Sequence, residues 1–183
     1  MTIQQIIDGV IKVEGGFVDH ASDPGGATNM GITERVARAN GYKGDMRALP
    51  RSTAYAIYYT RYVVGPNFDD VYAIDPKVGE ELVDSGVNAG TDRAATWFQQ
   101  ALNALNERGK AYPNIKEDGD IGAGTLAAWA KFRARRGSSA TAIMVKCLDC
   151  FQGAHYLSLA KDDSKFEDFI NGWIANRIGN VPV

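Results

Sequence analysis

EGGFVDHASDPGGATNMGIT, Glu14 to Thr33, is the most distinctive segment of the chain. It opens on an acid, passes a glycine pair and an Asp-Pro-Gly-Gly turn, and reaches another glycine before the chain turns helical again. Five glycines (15, 16, 25, 26 and 31) fall within seventeen residues. Such density suits a place where a ligand approaches the backbone closely, since glycine presents no Cβ. The stretch reads as an active-site segment, and the rest of the chain as its support.

Before it, residues 2–14 read as a helix, with Ile3, Ile6, Ile7, Val10 and Ile11 at helical spacing. Glu14 continues that apolar stripe by one turn, and Gly15 and Gly16 stop the helix. Within the stretch, Phe17-Val18 and Ala27–Ile32 read as two short strands of a small hairpin. Asp23-Pro24-Gly25-Gly26 suits a type II turn. Thr33 reads as an N-cap, with Val36 and Ala39 inward and Gly41 closing the helix.

Farther along, Pro50 opens a helix to about Val64, with Tyr55, Tyr58, Tyr59 and Tyr62 on one face. That stripe reads as core, or as a platform for sugar rings. Gly65-Pro66-Asn67 breaks the helix. Asp75-Pro76 is an N-cap followed by Pro at the first helical position, for a helix to about Ser85. Gly86–Gly90 reads as a junction, and Thr91 as the cap of a helix with Ala94, Ala95, Phe98, Leu102 and Leu105 inward. A polar loop over 107–120 precedes helices at about 123–136, 139–160 and 165–178. In the last, Phe166, Phe169, Ile170 and Trp173 form the apolar set. The chain is therefore expected to be mainly α, with one small β element near its front.

Bulk properties narrow the partners. The 183 residues carry 45% hydrophobic and 23% charged side chains, with a formal net charge of −2. That balance gives no electrostatic reason to expect nucleic acid or an anionic membrane. No apolar run approaches the roughly 20 residues of a membrane span. MTIQQIIDGVIKVEGG lacks a basic n-region and a small-residue cleavage site, so no signal peptide is expected. Action outside the cytoplasm would then need release or export. Cys147 and Cys150 cannot hold zinc alone and are expected as buried, reduced thiols on a core-facing helix.

Glu14, Asp19 and Asp23 are the carboxylates of the opening segment. Glycosidic cleavage uses one protonated and one ionised carboxyl group, so their environments must separate their pKa values. Glu14, at the edge of an apolar stripe, would keep its proton. Asp23, in a glycine-rich turn, would be held ionised by backbone N–H groups. Thr28 adds a hydroxyl that could orient water. For each residue alone, a solvated Glu after a helix or a plain turn Asp is the better reading; it is their combination that points to chemistry.

EGGF, DPGGAT and MGIT, in that order after one helix, resemble the signature of glycoside hydrolase family 108. That resemblance implies a lysozyme-like helical fold and an N-acetylmuramidase of the phage endolysin or secretion-activator type. It implies that Glu14, in the Glu-Gly-Gly motif, is the catalytic acid. The segment is also similar to the Glu–Asp–Thr constellation of phage-type lysozymes, which points to Asp23 and Thr28. Eight residues separate Glu14 from Asp23, as there; four separate Asp23 from Thr28, one short. Asp19 stays open as a second carboxylate. Retention and inversion stay open with it: a carboxyl separation of about 5 Å favours a nucleophile and about 6.5–9.5 Å a water-activating base.

The second half resembles the family's peptidoglycan-binding region. The carriers are Gln99-x-x-Leu102-Asn103-x-Leu105, then Asp118-Gly119-x-x-Gly122-x-x-Thr125, and the terminal FINGWIANRIGN. Locally the Asp-Gly turn reads as a helix-entry loop, and it lacks the closing Glu of a calcium loop. Val87-Asn88-Ala89-Gly90 resembles the family's Val-Asn-x-Gly junction, where Asn88 either binds an N-acetyl sugar or satisfies local backbone.

The expectation is thus a catalytic region over 1–90 and a helical peptidoglycan-binding region over 91–183 packed on it. Glu14, Asp23 and Thr28 are the catalytic candidates; Gly25, Gly26, Asn29 and Asn88 are the substrate-binding candidates. Glycan strands of peptidoglycan are the expected partner. No cofactor or metal is implied, a monomer is expected, and a holin or secretion system would provide the route to the periplasm. A lytic transglycosylase and a non-catalytic wall-binding secretion helper are the alternatives.

Overall fold

One helix, Pro76–Ala89, is wrapped on nearly all sides, and the others are arranged around it. The structure is a computed structural model and describes residues 2–13, 15–18 and 27–183, with the Val13 side chain left out. The expectations placed on Glu14, Asp19, Asp23, Pro24, Gly25 and Gly26 lie outside the described residues.

α1 (Ile3–Val13) begins with a capping box: Gln5 N donates to Thr2 Oγ1 at 3.2 Å, and Thr2 N donates to Gln5 Oε1 at 2.9 Å. Ile3, Ile6, Ile7 and Ile11 are buried, as their spacing predicts. Each is worth about 1.5–3 kcal/mol of transfer free energy. After α1, Gly15 takes a positive φ of 80°.

The hairpin exists, with different strands from those expected. β1 (Thr28–Asn29) pairs antiparallel with β2 (Ile32–Thr33), and Val18 bridges to Thr28. The run Ala27–Ile32 is not one strand, because Met30 and Gly31 both have positive φ, 50° and 71°. Two left-handed central residues make a type I′ turn, whose twist matches that of paired strands.

α2 (Glu34–Ala39) is capped by Thr33, whose side chain accepts from Val36 N at 3.3 Å. Ala37 is its buried residue, while Ala39 is exposed, contrary to expectation. A 3-10 turn over Met46–Ala48 leads to α3 (Arg51–Tyr59), which continues as a π-helical stretch over Thr60–Val64. Its tyrosines stack in pairs, Tyr55 on Tyr59 and Tyr58 on Tyr62, and Tyr58 is buried.

α4 (Phe68–Ile74) was not anticipated: seven residues give too short a pattern, though Phe68 and Val71 do face inward. α5 (Pro76–Ala89) starts on the Asp75 cap and Pro76 as read. It does not end near Ser85. It runs through Gly86 to Gly90, so Asn88 lies on its last helical turn and not in a junction. Gly86 is there for packing: a Cβ would stand 2.9 Å from Phe68 Cε2. At Gly79 a Cβ would stand 2.5 Å from Tyr72 Cα, so both glycines let α4 close onto α5.

α6 (Thr91–Ala104) has Gly90 as N-cap, and Thr91 is its first helical residue instead of the cap. α7 (Ala123–Arg136) buries Trp129 and Phe132. α8 (Ala140–Asp162) packs along α5 and α6, and α9 (Glu167–Arg177) packs on α8. Cys147 is only half-buried and Cys150 is exposed, which corrects the expectation of buried thiols; both are free. They sit at the outer edge of α8, whose inward positions are Met144, Val145, Leu148 and Gln152. Among the described residues no helix is long and apolar enough to cross a membrane.

Candidate functional site

The segment that follows Glu14 re-enters the described structure through a backbone ladder. Val18 N donates to Thr28 O and Thr28 N donates to Val18 O, both at 2.8 Å. On its other side Thr28 is in register with Thr33. Its backbone is thereby fixed from both edges, and its hydroxyl has no hydrogen-bond partner among the described residues. Next to it, the Arg47 guanidinium lies over the Phe17 ring, 4.7 Å from its centroid.

The hairpin is pinned from beneath at two points. Tyr58 OH donates to the Met30 carbonyl at 3.0 Å, which ties the turn to α3. Asn29 is buried, and its Nδ2 donates to the Met46 carbonyl at 2.7 Å. The amide of Asn29 thus joins the hairpin to the 3-10 turn. A positive-φ methionine is disfavoured by itself, and these bonds hold it.

Asn88 stands elsewhere. It is exposed on the last turn of α5, with Nδ2 donating to the Asp84 carbonyl at 2.7 Å. It lines a cleft of about 830 Å³ whose other walls are α1, through Gln5, Ile6, Gly9 and Val10, and α9. α1 packs on both α3 and α5. It is the element common to the hairpin's support and to the Asn88 cleft, and Glu14 follows its last residue in sequence.

The Asp-Gly turn of the second half does what its local reading says. Gln99, buried on α6, donates through Nε2 to Asp118 Oδ1, the Asp120 carbonyl and Thr125 Oγ1, at 2.9–3.3 Å. Its Oε1 accepts from Gly119 N at 2.9 Å. These bonds anchor the entry to α7. The Gln99 bond, with help from Asp120 N and Lys116, holds the Asp118 carboxyl down at about 2. Among the described residues no group of three or more His, Cys, Asp or Glu could hold a metal.

Sequence reasoning missed a buried polar cluster between α5, α8 and α9. Asp84, fully buried, pairs with Arg177 at 2.9 Å and accepts from Gln152 Nε2 at 3.4 Å. Glu81, also fully buried, accepts from Ser85 Oγ at 3.3 Å. Burial first, then the Asp149 and Asp84 charges, push its carboxyl up to about 9. Being sealed from solvent, Glu81 cannot reach a polymer substrate. Glu80, Glu81 and Asp84 share one face of the helix, and nothing in the sequence marks that face as covered.

Comparison with known proteins agrees with this architecture. The model of the glycosyl hydrolase 108 family matches residues 7–90, and that of the "Predicted Peptidoglycan domain" matches residues 93–178. The solved structure of SagA from Brucella abortus is similar at 30% identity with a TM-score of 0.59, covering 97% of this chain and 90% of that one. Comparison with curated proteins gives no match. The fold is thus mainly α and lysozyme-like with a small hairpin, its two matched regions tie it to peptidoglycan, and the chain belongs to the glycosyl hydrolase 108 family.

Proposed function

We propose that the protein is an N-acetylmuramidase that hydrolyses the β-1,4 bond between N-acetylmuramic acid and N-acetylglucosamine. Glu14 protonates the leaving oxygen. Asp23, with Thr28, positions water or stabilises the oxocarbenium-like state. Gly25 and Gly26 admit the glycan close to the backbone, Asn29 keeps the hairpin in place beneath it, and Asn88 contacts an N-acetyl group. Residues 1–90 carry the cleavage and residues 91–183 hold the wall polymer. The protein works as a monomer in the periplasm, after release by a holin or a secretion system.

The observation that carries this reading is the family match over residues 7–90, which includes the whole Glu14–Thr33 segment. The frame around that segment supports it: Thr28 is fixed from both edges, with its hydroxyl uncommitted among the described residues. The test is turbidity clearing of permeabilised Gram-negative cells. Glu14→Gln is expected to clear about 10²–10⁴-fold more slowly, the usual worth of a positioned general acid. Equal clearing by Glu14→Gln sinks the assignment.

The match over residues 93–178 favours a second reading, wall binding without cleavage. It predicts sedimentation with sacculi but no soluble product. Mass spectrometry of released muropeptides separates hydrolysis from lytic transglycosylation, which leaves an anhydro end.

A further inference from the structure

α9 is an unusual helix for this chain: none of its residues is buried. Of its apolar set, Phe169 is 56% exposed and lines the cleft opposite α1. The ring is not loose. It stacks on Trp173 at 6.0 Å and 18°, and Trp173 is backed by Tyr156 at 5.3 Å and Phe166 at 5.8 Å. An exposed aromatic face held rigid from behind is prepared for a flat apolar partner, because little side-chain entropy remains to be lost.

The polar groups of the cleft are prepared in the same way. Asn88 and Asn176 each donate Nδ2 to a carbonyl one turn back, Asp84 at 2.7 Å and Gly172 at 2.8 Å. That fixes both amides and leaves each Oδ1 as an acceptor at the cleft. Gln5 has its Oε1 engaged by Thr2 N, which leaves its Nε2 as a donor. Gly9 of α1 and Gly172 of α9 both line the cleft, and a Cβ at either would meet nothing within 4 Å. Space is therefore open along both walls. The volume of about 830 Å³ lies in the range of small-ligand sites, about 300–1,000 Å³. Among the described residues the lining charges are few: Asp168, and Arg177, which is already paired with Asp84.

We propose that this cleft is a binding subsite for a neutral, N-acetylated hexosamine, with Phe169 stacked on the sugar face and the Asn88 and Asn176 carbonyls accepting from its N–H and O–H groups. An uncharged ligand with an apolar face and several donors fits these walls. A phosphate or nucleic acid would find no free cation among the described lining residues. The subsite rests on wall glycan being the partner; it does not rest on Glu14 or on cleavage.

The probe is the tetramer of N-acetylglucosamine, titrated into the full chain while tryptophan emission is followed. Trp97 and Trp129 are buried, so a change reports on Trp173. Phe169→Ala is expected to weaken binding at least tenfold with an unchanged melting temperature, and Phe169→Tyr to retain it. Gly172→Leu is the independent variant. It adds helix propensity at an open position, so it folds at least as well, and it fills the cleft and abolishes binding. Wild-type-like titrations for both Phe169→Ala and Gly172→Leu overturn the subsite, as does binding only of a stem peptide. The two readings fail separately. A parent that binds the tetramer but never clears cells sinks the hydrolase and keeps the subsite. Variants that clear and bind like the parent keep the hydrolase and sink the subsite.

Discussion

Glu81 shows how a residue can be plain in the sequence and opaque in role. KVGEELVDSG reads as an amphipathic helix with Glu80, Glu81 and Asp84 on its wet side. In the fold every residue from Val78 to Gly86 is buried, because α1, α4, α6 and α8 all pack on α5. Periodicity shows which face is apolar; it cannot show that the polar face is covered too. The consequence is a pH dependence of stability. The folded-state value of about 9 lies far above the ordinary 4.5, so between these values the folded chain holds a proton that the unfolded chain lacks. Stability from this group is complete below pH 4.5 and is lost as pH rises through 9. Asp149 is raised by burial too and adds in the same direction. Glu81→Gln removes the titration. It is expected to match the parent in urea midpoint at pH 5 and to exceed it at pH 8, where the stability gain reaches up to about 4 kcal/mol at about 1.36 kcal/mol for each pH unit crossed. A parent whose midpoint is flat over that interval would contradict the buried neutral acid.

At the scale of elements, the long helices were legible and the short links were not. α1, α6, α7 and α8 follow from apolar spacing. The hairpin turn escaped because Met30-Gly31 carries a methionine where the left-handed conformation favours Asn or Asp. The end of α5 escaped because Gly86 reads as a breaker, while its lack of a Cβ serves the approach of Phe68. Thr28 and Asn88 stand as candidates from sequence alone, but what holds the hairpin around Thr28 could not be read there: Tyr58 and Met46 come from distant elements. The Asp118 turn is the converse case, a recurring motif whose local purpose is structural. Gln99→Ala removes its anchor, leaving Gly119 N without its partner and Asp118 with only Asp120 N and Lys116. The expected cost is about 2–4 kcal/mol, at about 1 kcal/mol net per hydrogen bond with an added penalty for stranded groups. Because the Gln99 bond is the first cause of the lowered Asp118 carboxyl, that carboxyl should rise toward its ordinary value of 3.8 in the same variant. Carboxyl titration by NMR checks the second effect independently of the melt.

At the scale of the molecule, the two family-matched regions are joined by a charge pair at the centre. Asp84 belongs to the first and Arg177 to the second, and Asp84 is fully buried. α9 buries none of its residues, and its other ties include the aromatic stack on Tyr156 and, just beyond its end, Gly179 N donating to Asp149 Oδ1 at 2.8 Å. Arg177→Met would strand the Asp84 carboxylate, which costs about 3–5 kcal/mol when a buried pair loses one partner. The fold has a cheaper escape than global unfolding, since letting α9 lift returns Asp84 to water and gives up little buried surface. The expected result is fast amide exchange confined to residues 167–177, with α5 and α6 still protected and a melting temperature that falls less than the pair's worth. Adding Asp84→Asn removes the stranded charge, so the double variant should regain slow exchange in α9. Tetramer binding should follow α9 through this series, lost in Arg177→Met and recovered in the double variant, because the cleft has its aromatic wall only while α9 is docked. Uniform loss of protection across the chain in Arg177→Met would instead make the pair a support of the whole core, with α9 and α5 unfolding as one unit.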